Sequence, residues 1–574
     1  MKANSNPLRI LSAARLRSAG ASLGAALLVL SGLPLSAQSP AQPHANNHTQ
    51  PAAAPKKLYR IAGIVTNSIT GAPVPRATVS LVDDESEARD QVQSAETGEN
   101  GSFALQPVPA GKYGLRVARR GYLITFFDEH DEFSSAIVTG EGQDTEHIPF
   151  QLNPGGMVHG VVTDDAGEPV QQAQVFLVRK SRGGLGEHMV KSIPGNTDDT
   201  GSYEFWNMVP GTYFLAVKSV PWFALHPFSS GNGPSDAQAQ QNAAALDVAY
   251  PVTYYDGVTD EASATPIAIA SGDRVELNVV LHAVPAIHLL VRGGDPDRQG
   301  NPPVLRQTIF GDDQMTRWAG MSRGGLGPVP TEITGIAPGQ YELSQGNPPR
   351  ITNLNLSGSG GHEVDSSAGT ATVTVTVKAQ MADGTPLPSR LGLALRSDNA
   401  MKREIPSRLT AKGELRFDSV PPGSFALLPR GGDFSVAVVS IQTGDAVRQD
   451  SRIEVGDQPL SLTVTLANGA TDVIGFAHDG GKGKPGVMIV LVPKNSPTNL
   501  SMFRRDQSDS DGSFRLREVA PGQYTVVAIE DGWELEWARP EVIRRYLPGG
   551  ISVTVSDDSS KRTSLAEPVP VQTR

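Results

Sequence analysis

The sequence predicts an all-β protein: a tandem array of about five antiparallel β-sandwiches behind an export signal and a linker. Three observations predict it. Gly (60) and Pro (44) are too abundant for a helical protein and suit many short strands joined by turns. A chain of 574 residues is longer than one core can serve. Finally, a motif of fixed spacing recurs: NGSFALQPVPAGKY (100–113), TGSYEFWNMVPGTY (200–213), KGELRFDSVPPGSF (412–425) and DGSFRLREVAPGQY (511–524). Each reads Gly, nine residues, Gly, one residue, aromatic, and a shortened copy, TEITGIAPGQY, ends at Gly339 and Tyr341.

In chain order, Lys2, Arg9, Arg15 and Arg17 precede the apolar stretch GASLGAALLVLSGLPL, and LSAQ offers a cleavage point after Ala37. Residues 1–37 are therefore expected to be a cleaved signal peptide. The apolar run falls short of the roughly 20 residues a membrane anchor needs, and no second apolar span follows, so no membrane span is expected after cleavage. Residues 38–56, rich in Pro and Ala, read as a disordered linker.

The repeated motif is a strand–turn–strand unit. Asp-Gly or Asn-Gly supplies the positive φ of a tight turn. Phe514, Leu516 and Val519 then alternate with Arg515 and Arg517, so one face is buried. Pro-Gly or its equivalent ends that strand, and the aromatic residue opens the next. An opening hairpin upstream (GVVTDDAGEPVQQAQVFLV) and closing strands downstream (IEVGDQPLSLTVTL) recur with it. Five units result: 57–153, 154–285 with a loop and helix insertion, a degenerate 286–368, 369–467 and 468–574.

VTDDAGEPV (162–170) together with TGSYEFWNMVPGTY resembles the carboxypeptidase regulatory-like domain. Its fold is the transthyretin-like (prealbumin-like) β-sandwich, a carbohydrate-binding-like fold shared with starch-binding modules. YYDGVTDEASATPIAIASGD (254–273) and WARPEVIRRYLPGGISVTV (537–555) look like segments of secreted bacterial multi-sandwich proteins. The resemblance implies modules with no catalytic residues of their own; in the family they accompany a zinc carboxypeptidase domain.

Composition narrows the chemistry. The net charge of −11 argues against nucleic acid and anionic lipid as partners. The absence of cysteine removes thiol nucleophiles, Cys-based zinc sites and disulfides. The 11 histidines form no H-x-x-E pair, so no carboxypeptidase zinc site is expected. Gly320–Gly324 spells G-x-S-x-G, but GLGPVP follows where a nucleophile elbow needs a helix. The two SRGGLG stretches (181–186 and 322–327) lead into neither a helix nor G-K-[ST] and read as inter-strand loops. Asp509 and Asp511 resemble the start of a calcium loop, yet no Glu arrives in register, and Lys412 stands at the equivalent of Asp511. Both are expected to be plain turn residues. The run Asp128–Glu132 is expected to be a solvated loop. No catalytic residue, metal or cofactor is expected.

Binding candidates come from aromatics in the variable loops. Phe126-Phe127-Asp128 and Tyr254-Tyr255-Asp256 hold comparable places after the central hairpin. Trp222 and Phe223 sit in the insertion, and Trp533, Trp537 and Tyr546 occupy the matching region of the last unit. Such rings either stack on sugars or plug sandwich ends and inter-unit seams. The functional expectation is a non-catalytic protein, periplasmic or secreted to the cell surface, binding polysaccharide, an envelope polymer or a protein partner. The alternatives are an accessory module of an outer-membrane uptake system and a secreted hydrolase built on paired carboxylates.

Overall fold

The computed structural model describes residues 57–574 apart from 86–89, 184–185, 190–192, 229–241, 294–301, 316–319, 324–330, 390, 398–403, 431–435, 470 and 558–561. Residues 1–56, expected to be a signal peptide and linker, lie outside the described residues, as do parts of both SRGGLG stretches. The regular structure of the described residues is almost all strand, with only short helical turns such as Pro540–Ile543.

Among the described residues, one strand arrangement recurs along the chain. In the first unit, Leu58–Asn67 pairs antiparallel with Ser102–Pro109 and parallel with Ile148–Leu152. Facing that sheet, Thr78–Asp83 pairs antiparallel with Gly111–Ala118. In the second unit, Gly156–Asp164 lies between Ser202–Met208 and the closing strands Arg274–Glu276 and Val279–Leu281. Ile287–Arg292 and Val373–Met381 open the third and fourth units, each with an antiparallel hairpin strand on one side and a parallel closing strand on the other. The last unit opens with Thr471–Asp479, but Val569–Gln572 also pairs with Gly522–Ile529 and merges its layers into one nine-stranded sheet.

The core follows from period-two alternation. Ser202–Met208 reads partly exposed, buried, exposed, buried, and it sends Tyr203 and Phe205 inward. Among the described residues, each unit carries a hydrophobic cluster, with Leu81, Leu177, Leu289, Phe417 and Tyr524 inside them in chain order.

The turn glycines are required by geometry. Gly101 and Gly201 have φ of +75° and +74°, and a Cβ on either would come within 2.5 Å of the Val65 or Val162 carbonyl oxygen. The motif aromatic has a role beyond packing. The hydroxyls of Tyr113, Tyr213, Tyr341 and Tyr524 donate to the carbonyls of Pro109, Val209, Ala337 and Ala520, each four residues upstream. This ties the turn to the strand it starts. Phe425 fills the same place without a hydroxyl. Tyr213→Phe is expected to cost about 1 kcal/mol in urea unfolding, since only that bond is lost. No change would mean that water serves the Val209 carbonyl equally well.

A further repeated feature is a β-bulge at the end of each hairpin strand, where the register slips by one residue. The extra residue is left-handed at Asn207, Gly335, Ser419 and Glu518, while Pro107 holds the position in the first unit.

Candidate functional site

The last unit packs against the first, so residues more than 370 positions apart meet. Ser510 N–H donates to the Ala136 carbonyl (3.0 Å), Ala136 N–H donates to Asp509 Oδ1 (3.0 Å), and Val138 N–H donates to Ser510 Oγ (2.9 Å). Ser135 Oγ donates to the Ser508 carbonyl (2.9 Å), and Gln507 Nε2 reaches Ser135 Oγ (2.9 Å) and the Asp128 carbonyl (2.5 Å). Lys112 Nζ contacts Asp509 Oδ2 (2.5 Å) and Ser513 Oγ (2.7 Å). Arg517 donates to the carbonyl and side chain of Asp84 (2.6 and 3.0 Å).

These contacts correct the reading of Asp509 as a plain turn residue. It does accept into its own turn's surroundings, but its carboxylate is buried against another unit. Asp511 is a turn residue, with Oδ1 accepting from Ser513 N–H. The run Asp128–Glu132 is likewise not simply solvated: His130 stacks on Trp533 (centroids 5.1 Å apart), and Asp131 pairs with Arg505 at 3.4 Å.

A cleft of about 320 Å³ opens at this junction. The first unit contributes Asp84, Glu85, Lys112 and Glu132, and the last contributes Asp506, Asp511, Arg515, Arg517 and Arg562. Ile474, Phe476 and Leu565 form an apolar wall, on which Phe476 is 51% exposed. Asp506 lies at the cleft with Oδ2 accepting from Arg515 N–H (2.7 Å), while the Arg515 guanidinium turns away to Asp472. Desolvation, reinforced by Asp509, pushes the Asp506 carboxyl up to about 7. Burial also raises Asp509, although Lys112 pulls it back down. The arrangement presents charged donors, charged acceptors and one open aromatic face to a single ligand-sized space. Among the described residues, no group of His, Asp and Glu is placed to hold a metal ion, and no helix is long and apolar enough to cross a membrane.

The aromatic candidates do not converge here. Trp222 is 88% exposed, with Phe223 edge-on at 5.8 Å. Phe126 lies over Gly114, and Phe127 packs on the first core near Phe150. Tyr254 is buried against Phe310, and Tyr255 packs on the second core. Trp533 and Trp537 pack beside the buried Tyr546, with Arg505 over Trp537 at 4.6 Å. Gly320–Arg323, the first four residues of the esterase-like motif, is a strand paired antiparallel with Thr331–Ile336. Phe476 and Asp506 were missed by sequence reasoning. Only contact between remote units brings them to one place.

Comparison with known proteins finds two family matches. Residues 60–151 match the carboxypeptidase regulatory-like domain, and residues 472–545 match the second β-sandwich domain of NOMO1-like BOS complex subunits. No curated protein matches the chain. Among solved structures, the Bacillus anthracis TIE protein is similar at 11% identity over 73% of this chain and 76% of that one, with a TM-score of 0.16. A streptococcal ancillary pilin is similar at 13% identity over 54% of this chain and 99% of its own, with a TM-score of 0.19. BcpA, the major pilin subunit of Bacillus cereus, is similar at 10% over 71% and 99%, with a TM-score of 0.13.

Proposed function

We propose that this is an exported, non-catalytic array of β-sandwiches that grips a saccharide polymer in the cleft between its first and last units. The observation that carries the reading is the pairing of an open aromatic face, Phe476, with charged groups of both signs around one cleft. Sugars are held by stacking on such faces and by charge-assisted hydrogen bonds to their hydroxyls. The basic and apolar N-terminus supports export. Trp222, exposed on the insertion, would add a second stacking face along an extended polymer.

Affinity electrophoresis of the mature chain through a panel of polysaccharides tests this. Phe476→Ala is expected to weaken retardation about five- to tenfold, the scale of one aromatic contact. Trp222→Ala reports on the second face. Failure to bind any glycan overturns the proposal.

One observation favours a hydrolase instead. Asp506, with its carboxyl near neutrality beside Asp509, has the character of a general acid. Turnover of a polysaccharide that is abolished by Asp506→Asn would replace the non-catalytic reading.

A further inference from the structure

A second buried cluster lies where the insertion of the second unit meets the third unit. His226 and Asp247 come from the insertion, His288 from Ile287–Arg292, and Glu332 from Thr331–Ile336. Their side chains are 4%, 18%, 13% and 6% exposed. His226 Nδ1 lies 2.9 Å from Asp247 Oδ1. His288 Nε2 lies 2.7 Å from Asp247 Oδ2, and His288 Nδ1 lies 3.1 Å from Glu332 Oε1. The His226 ring abuts Gly335 of the third unit, and its Nε2 is buried with no partner. One nearby backbone tie runs the same way, Ala286 N–H donating to the Asp247 carbonyl, and Leu225 N–H donates to that of Leu246 within the insertion (both 2.8 Å). Arg292, the other charged residue on the His288 strand, is paired with Glu363.

Hydrogen counting makes the cluster informative. A neutral imidazole carries one N–H, so it can donate to one carboxylate only. His226 needs no more than that, because Nδ1 is its only partnered nitrogen. His288 faces a carboxylate oxygen from each ring nitrogen. With one hydrogen, the second contact sets lone pair against lone pair in a buried site. The chain His226–Asp247–His288–Glu332 closes only when it holds one proton beyond neutral imidazoles and ionised carboxylates.

We propose that this chain is a proton-dependent clasp that fastens the insertion of the second unit to the third unit. When the proton leaves as pH rises, one buried contact turns repulsive and the insertion loosens. This inference is independent of the saccharide reading, because its readouts need no ligand.

Hydrogen exchange of the full chain tests it, after correction for the intrinsic pH dependence of exchange. Protection of the Leu225 and Ala286 amides is expected to fall about tenfold between pH 5 and pH 8, the scale of leaving a buried polar group unsatisfied. Asp247→Asn should abolish the dependence. The new amide oxygen accepts from His226, its nitrogen donates to His288 Nε2, and His288 Nδ1–H remains for Glu332, so no extra proton is needed. Equal protection at both pH values in the unaltered chain, or a variant that follows it, overturns the proposal. Should the variant misfold, ¹⁵N-histidine spectra of the unaltered chain decide. Both His288 nitrogens should carry hydrogen at pH 5.5, and a single neutral tautomer there overturns the clasp.

Discussion

Asp509→Ala is expected to destabilise the junction of the first and last units by about 3 kcal/mol, the scale of breaking one partner out of a buried ion pair. The Asp509 and Lys112 side chains are 10% and 24% exposed. Truncation leaves the Lys112 ammonium with only the Ser513 hydroxyl and removes the acceptor of Ala136 N–H. The cost is the uncompensated charge rather than the attraction lost. Lys112→Met combined with Asp509→Leu should therefore recover most of the loss, since it removes both charges together. Scanning calorimetry of the full chain reads this as a lowered first transition in the single variant and its return in the double. A single variant within about 0.5 kcal/mol of the unaltered chain would show that water already reaches the pair.

Asp506→Asn should act in the opposite direction, and its effect should depend on pH. An acid whose folded pKa lies above its unfolded value binds more protons when folded, so stability falls as pH rises between the two. For Asp506 that window runs from the ordinary 3.8 to about 7. The full shift corresponds to about 4 kcal/mol at 1.36 per unit, and shared titration with the raised Asp509 reduces the separable part to about 2 kcal/mol. Asparagine keeps an acceptor for Arg515 N–H without the charge. The variant is expected to be about 2 kcal/mol more stable than the unaltered chain in urea at pH 8, with the gain vanishing near pH 4. An unchanged midpoint at pH 8 would falsify the burial of this carboxylate.

The architecture was legible because it rests on local rules. Gly101, Gly201, Gly413 and Gly512 all have positive φ, and the aromatic at the following strand enters each core. The bulges were not legible, since Pro, Asn, Gly, Ser and Glu at residues 107, 207, 335, 419 and 518 share no chemical signal. The tyrosine hydroxyl bonds were hidden for a related reason: Phe425 shows that the position needs only a ring to pack. The candidate site was hidden more deeply. Asp509 reads as a turn residue because it stands three residues before the turn glycine, where the other copies carry Gly98, Asp198 and Thr410, and within its own hairpin it behaves as one. Its second role depends on Lys112 and Ala136 arriving from nearly 400 residues away, which no spacing records.

The parallel neighbours of each unit have a mechanical consequence. In the first unit Gly63 to Asn67 lie beside Ile148 to Leu152, and in the fourth Val375 to Met381 lie beside Leu460 to Leu466, running the same way. The chain therefore enters a unit at one end of the strand pair and leaves at the other. Tension between these ends slides the strands lengthwise and loads every rung together, whereas peeling a hairpin breaks rungs one at a time. A pull between residues 57 and 574 also meets the Lys112–Asp509 junction before it reaches the three units between.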